Sequence, residues 1–231
     1  MDNHPLDRPV WSALTTRQVA LAEGGPRAFR FAPEYGIFAA AADASAASLA
    51  ALAALVPTGG QVAIVETEAD PPMTRAEVVS TAVLWQMIAP AIATAPDPDF
   101  TIVPLTDADA PQMLALATLT RPGPFFTRTH QLGDFLGVKQ GGRLLAMAGE
   151  RMKLTGFTEV SGVCTDPDHR GRGYAGALMR VVAARILARG ETPFLHSYAH
   201  NTGAIALYQS LGFSLRQKMI MTLLTRAEAG A

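Results

Sequence analysis

Eleven residues, Asp166-Pro167-Asp168-His169-Arg170-Gly171-Arg172-Gly173-Tyr174-Ala175-Gly176, constrain this chain more than any other stretch. They lie between Phe157 to Thr165, which reads as a strand, and a long apolar-periodic segment closed by Gly190, which reads as a helix. Glycines let backbone approach a ligand closely. The first N–H groups of a helix have no intrahelical partner and carry partial positive charge, so a corner of this kind suits a phosphate. Arg170 and Arg172 add permanently charged donors matched to phosphate oxygens. A tight turn with two solvated arginines uses the same letters, and the surrounding sequence has to separate the two.

Two phosphate loops can be tested on this stretch. A P-loop requires Lys followed by Ser or Thr after its last glycine, but Ala177-Leu178 stands there, so the group for the outer phosphates is missing. Gly171-x-Gly173-x-x-Gly176 matches the dinucleotide fingerprint letter for letter. That fingerprint follows its strand directly and is answered by an acid at the end of the next strand. Here Asp166 to Arg170 intervene, the next strand ends Tyr198-Ala199-His200, and several strands come first. A dinucleotide oxidoreductase is therefore a rival reading and not the preferred one.

The rest of the chain gives the order of elements. An alanine-rich helix capped at Asp43 repeats Leu49 and Leu52 at helical spacing and stops at Pro57-Thr58-Gly59-Gly60. Gln61 to Glu66 reads as a strand, and Ala82 to Ile88 as a strand or a buried helix. Pro96-Asp97-Pro98-Asp99 is a linker signal, dividing the chain into 1–98 and 99–231. Beyond it come a strand at 100–105, a helix from Thr106 to about Leu119, and the stiff loop Arg121-Pro122-Gly123-Pro124-Phe125-Phe126. A hairpin follows, 135–139 with 144–148, turning on Gln140-Gly141-Gly142-Arg143. After the glycine turn and its helix come strand 193–199, helix 201–211 and strand 217–224. Strands first, then strand-helix-strand-helix-strand, place the class as α/β or α+β around a mixed sheet.

Composition excludes several functions. Lys+Arg 19 against Asp+Glu 20 leaves a net charge of −1, which gives no overall reason to bind nucleic acid or an anionic membrane. The single cysteine, Cys164, excludes an intramolecular disulfide framework and a multi-thiolate metal cluster, and it fits a reducing cytoplasm. No metal is expected. The start, MDNHPLDRPV, lacks the apolar core of a secretory signal, and Ala39 to Val56 is mostly alanine interrupted by Asp43, Ser45 and Ser48, too polar for a bilayer span. A cytoplasmic protein without a membrane segment is expected.

Arg170-x-x-Gly173-x-Ala175 resembles the Arg/Gln-x-x-Gly-x-Gly/Ala signature of the GNAT superfamily of N-acetyltransferases, whose loop binds the pyrophosphate of coenzyme A. Gly162-Val163-Cys164-Thr165 before it and Asn201-x-x-Ala204-x-x-Leu207-Tyr208-x-x-Leu211-Gly212-Phe213 after it are similar to the flanking blocks of that family in order and spacing. The resemblance covers about residues 100 to 225 and is nearest to the glycine N-acyltransferase branch. It implies a mixed, mostly antiparallel sheet flanked by helices, with the first 98 residues an α/β domain that is open to being a degenerate copy of the same fold.

What the resemblance implies chemically is acetyl-coenzyme A as co-substrate and a primary amine, of a small molecule or an amino acid, as acceptor, with direct attack on the thioester. Arg170 to Gly176 would hold the pyrophosphate, including Gly171, Arg172 and Tyr174. Splayed backbone at Val163, Cys164 and Thr165 would meet the pantetheine and the thioester carbonyl, and Asn201, Ala204 and Tyr208 would close the other side. Tyr208 would protonate the leaving thiolate, an ordinary packed tyrosine being the alternative. Glu159 sits eleven residues before Arg170, an offset resembling that of a family general base. Strand alternation puts Phe157, Glu159, Ser161 and Val163 on one face, where a partly apolar setting would raise a carboxylate's pKa; a solvated or arginine-paired carboxylate is the alternative. His196 and His200 share parity with Tyr198 and are reserve bases, His196 and Tyr198 also facing the acceptor. Phe125 and Phe126 would wall the acceptor site, with Arg121 or Arg128 suited to a carboxylate. Cys164 admits an acyl-cysteine, although a strand cysteine is usually a small buried hydrophobe. A catalytically silent coenzyme A-binding module is the other rival, and a homodimer is open.

Overall fold

A computed structural model of the chain describes residues 4–68 and 73–227, so Met1 to Asn3 of the start read above for a secretory signal lie outside the described residues. Helix α1 (Pro9–Thr15) leads into three short strands, β1 (Ala22–Gly25), β2 (Ala28–Phe31) and β3 (Ala39–Ala41), then α2 (Ala46–Leu55). Strands β4 (Gln61–Glu66), β5 (Ala76–Ile88) and β6 (Ile102–Leu105) precede α3 (Ala110–Thr120). The order continues with β7 (Phe135–Gln140), β8 (Arg143–Leu154), β9 (Phe157–Thr165), α4 (Tyr174–Ala188), β10 (Thr192–Tyr198), α5 (Thr202–Ser210) and β11 (Ser214–Arg226). Strands β1 to β3 form a small antiparallel sheet, and the other eight form one sheet in the order β4-β11-β5-β10-β9-β8-β7-β6. Its pairs are antiparallel except β9 with β10, the mixed, mostly antiparallel sheet expected.

The ambiguous run at 82–88 is part of a strand, β5, and its place is informative. Although it lies early in the chain, β5 is hydrogen bonded between β10, with Phe194 opposite Ile88, and β11, with Arg226 opposite Ala76. The expected boundary at 98/99 falls in the irregular stretch between β5 and β6, while strands from both sides of it share the sheet.

Helices cover both faces. On α4, Leu178, Met179, Val182, Ala183 and Ile186 recur at i, i+3, i+4 spacing and are at most 2% exposed, packed with Leu136, Leu145 and Leu195. On the opposite face Leu6, Val10 and Leu14 pack with Phe31, Met152 and Phe194. Burying a side chain such as Leu178 stabilises by about 1.5–3 kcal/mol. Local chemistry sets the edges of the elements. Thr106 and Asp109 form a reciprocal capping box before α3. Gly141 and Gly142, at φ of 58° and 79°, make the two-residue turn joining β7 and β8. The cap of α2 is Ser45, whose hydroxyl accepts from Ser48 N, and not Asp43, whose carboxylate instead accepts from Ser45 N. That corrects the expected cap by two residues.

Two bulges shape the centre of the sheet. Met147 pairs with Cys164 and Gly149 with Ser161, so Gly162 and Val163 together oppose Ala148. Gly162 has φ of 63°, and a Cβ there would sit 2.8 Å from the Phe135 ring, so both conformation and space require glycine. The bulge overturns the expected alternation, because Val163 no longer shares parity with Glu159. In the second bulge Arg151 and Met152 of β8 face the single Glu159 of β9.

Candidate active site

The corner at the amino end of α4 is fixed from beneath by Asp166. Its buried carboxylate accepts from Asp168 N at 3.0 Å, His169 Nδ1 at 2.9 Å and Arg143 Nη2 at 2.5 Å, and these partners hold its pKa below the usual carboxylate range. Gly171 and Gly173 both have φ of 76°, and nothing lies within 4 Å of a Cβ built on either. Glycine is therefore needed here for the backbone path, which leaves open space above it. Gly173 is the N-cap of α4 and has no side chain to satisfy the first-turn amides. Those amides border a cavity of about 840 Å³ into which Arg121, Arg170, Arg172 and Arg180 also project, and among the described residues no Asp or Glu lines it. Pyrophosphate fits this donor set, with a helix amino end, two left-handed glycines and arginines lacking competing acids.

The same cavity runs down a wedge in the sheet. Strands β9 and β10 pair only at Phe157 with Thr192, Thr158 with Pro193 and Glu159 with Phe194, and beyond these the backbones diverge. Val163, Cys164 and Thr165 edge the wedge on one side and Tyr198 on the other. Burial pushes the Cys164 thiol up to about 11, so it stays protonated and is a poor nucleophile. The acyl-cysteine alternative loses its physical basis.

Helix α5 supplies the far wall. Asn201 caps it, Oδ1 accepting from Ala204 N at 3.3 Å, and Ala204, Leu207 and Tyr208 face the cavity. Burial raises the pKa of Tyr208, which keeps its phenol protonated, and its ring packs near Phe213 with centroids 6.4 Å apart. Tyr208, Asn201 and Tyr198 also border a second, smaller cavity of about 90 Å³ on the other side of the wedge. Phe38, Val65 and Leu84 from the first part of the chain line that smaller cavity, and Arg151 and His196 form its polar floor.

The floor corrects the expectation for Glu159. Its carboxylate is 1% exposed and receives Arg151 Nε and Nη2, each at 2.8 Å, and His196 Nδ1 at 2.8 Å. Burial alone would raise its pKa, but Arg151 and His196 together hold it down at about 2. A carboxylate so saturated is a poor proton acceptor near neutrality. The network extends across β10 to β5. Gln86 Oε1 accepts from Arg216 Nη1 at 2.8 Å and Gln86 Nε2 donates to Leu6 O at 2.8 Å, which orients the amide so that Nε2 also donates to His196 Nε2 at 3.1 Å. The imidazole proton therefore sits on Nδ1, toward Glu159, and the Nε2 lone pair is occupied. Arg216 in turn pairs with Asp7 at 2.6 Å. Arg151 lies against the Phe38 ring at 4.6 Å, and its Nη1 has no hydrogen bond to a described residue.

Several expected residues lie elsewhere. Phe125 and Phe126 do not wall the smaller cavity. Phe125 packs edge-on against Phe135, centroids 5.8 Å apart, and Phe126 borders a different cavity beside Arg30, so Pro122, Gly123 and Pro124 of that loop reach the site instead. Arg128 is engaged with Glu34 and lies over Tyr35. His200 is exposed and stacks on Tyr198, 5.4 Å between centroids, while His130 pairs with Asp107. The sequence reading missed Arg151, Arg180 and Gln86. A charged residue inside the apolar strand 143–154 and another on the apolar helix 174–188 were the available signals.

Several known proteins are similar to this chain over part or all of its length. The FR47-like protein family matches residues 135–221. N-alpha-acetyltransferase RimI of Mycobacterium tuberculosis is 34% identical over 84 residues, 34% of this chain and 51% of that protein, so the match spans about half of the curated relative's length. Among solved structures, a GNAT-family protein from Novosphingobium aromaticivorans is 46% identical, with 97% of this chain and all of that chain covered and a TM-score of 0.88. A GCN5-related N-acetyltransferase from Kribbella flavida, 17% identical over 96% of each chain with a TM-score of 0.64, shares the fold.

Proposed function

The chain belongs to the GNAT family of acetyltransferases, and from that premise we propose that it transfers an acetyl group from acetyl-coenzyme A to the primary amine of a small molecule or amino acid by direct attack. The observation that carries this reading is the shared wall between two cavities. Tyr208, Asn201 and Tyr198 border both the arginine-lined groove suited to the coenzyme and the smaller pocket floored by Arg151 and His196. A thioester supplies an acyl group already activated for attack by an amine. In this reading the α4 amides with Arg170 and Arg172 fix the diphosphate, and the open backbone edge at Val163 to Thr165 orients the pantetheine arm. The Tyr208 phenol, kept protonated by its burial, donates to sulfur as the thiolate leaves, and the proton given up by the acylated nitrogen passes through water to restore the phenol.

The acceptor enters the smaller cavity, where Phe38, Val65 and Leu84 favour an apolar body and Arg151 Nη1 offers a donor for a polar or anionic group. Glu159 acts through what it holds, fixing the Arg151 fork and the His196 tautomer, and is a positioning residue in this scheme. The stretch 1–98 serves as scaffold, supplying wall residues and Gln86. The test is release of free thiol from acetyl-coenzyme A across a panel of primary amines, with mass detection of the acetylated product. Acetylation of at least one amine is expected. Tight coenzyme binding with no transfer to any amine would favour the silent binding module instead.

A further inference from the structure

Arg180 stands apart from the other arginines of the large cavity. It lies one turn beyond Gly176 on the α4 face that meets α5, where a Cβ on Gly176 would come 3.5 Å from Leu207 Cδ1. Its Nε is buried and has no hydrogen-bond partner among the described residues. A guanidinium whose Nε is shielded from water without a partner is not tied down from within, and Arg180 lines the cavity with no ion pair to a described residue. Among the described residues, the cavity it lines has no carboxylate to pair with it from within. Arg180 is also displaced from the phosphate cradle. It stands six positions after Tyr174, roughly 9 Å along the helix axis. The cradle at Gly171 to Gly176 thus faces one anionic group, and Arg180 is placed for a second, further along the groove between α4 and α5.

We infer that Arg180 forms a phosphomonoester subsite at the outer end of the groove and takes the 3′-phosphate of coenzyme A, so that the protein distinguishes coenzyme A from its dephosphorylated form. The inference rests on the coenzyme reading of the preceding subsection. A diphosphate and a separate phosphomonoester are the two anionic groups of that molecule, and a planar, permanently charged fork is the side chain suited to the second.

Calorimetric titration of the full chain with coenzyme A and with dephospho-coenzyme A tests it without any turnover. The wild type should bind dephospho-coenzyme A about 10- to 100-fold more weakly, the range for loss of charge-assisted hydrogen bonds. Arg180→Gln should weaken coenzyme A by a similar factor and leave dephospho-coenzyme A within about two-fold, so the preference collapses. Arg180→Lys, which keeps the charge, should retain part of it. Equal affinity of the wild type for the two ligands overturns the inference even if neither variant folds, and so does an Arg180→Gln protein that keeps the full preference. Absence of coenzyme A binding to the wild type would instead remove the function proposed above.

Discussion

The amino end of α4 and the floor beneath the smaller cavity both gather charge, and they dispose of it differently. At α4, Gly171 and Gly173 hold backbone in a left-handed path with open space above it, the first-turn amides have no cap, and arginines line a groove without acids. On the floor, Glu159 is met by Arg151 and His196, His196 by Gln86, and Gln86 by Arg216 and Leu6. Donors left unsatisfied by the protein are available to a ligand, whereas donors and acceptors satisfied within it keep a surface rigid. The pocket that must grip a polyanion is built the first way, and the pocket that must hold a shape is built the second.

Breaking the saturated side should give the largest effect. Glu159→Gln leaves the Arg151 guanidinium without its counter-charge in a nearly dry setting and should destabilise by about 3–5 kcal/mol, a fall in Tm on the order of 10 °C by calorimetry. The same pair sets an acid limit. The folded pKa of about 2 lies below the ordinary glutamate value of 4.5, so this contribution is fully present above pH 4.5 and is lost as pH falls toward 2, which a denaturant series across that range would read. A variant with unchanged Tm but an altered acidic limb of the pH–rate profile would mean that Glu159 does accept the proton.

At the junction of the two regions, Tyr208→Phe should lower kcat about 100-fold while acetyl-coenzyme A affinity stays within two-fold, measured by steady-state kinetics and calorimetry. Equal losses in both would make Tyr208 a packing residue. On the open side, Gly173→Ala meets no neighbour but must hold φ of 76°, so it should cost about 1–2 kcal/mol of stability, with a roughly 10-fold loss of coenzyme affinity. The smallest response should come from Cys164. With its thiol near 11, the folded protein should remain unalkylated by iodoacetamide at pH 7.5 on the time scale that modifies a free thiol, read by intact mass.

What was legible in the sequence follows the range of the interactions involved. The glycine corner and the Gly141-Gly142 hairpin both depend on residues within a few positions of one another, and each could be read from its letters. Glu159 could be located on its strand, but its chemistry could not be read. Its partners come from β8 and β10, and Arg151 reaches it because a bulge sets two residues against one. Similarly, the loop at 121–128 was placed near the acceptor, yet Phe125 turns under the sheet onto Phe135 and the prolines line the site instead. Leu84, Phe38 and Val65 gave no local sign of a role, since only the pairing of strands distant in sequence brings them to the pocket.

The position of β5 has a consequence for how the chain reaches its native state. Its two neighbours, β10 and β11, leave a ribosome long after it does, so β5 must wait, unpaired and carrying exposed valines such as Val78 and Val79, until both have emerged. Closure of the central sheet is thus a late, long-range event, and the interval before it is when this chain has the greatest need of a chaperone.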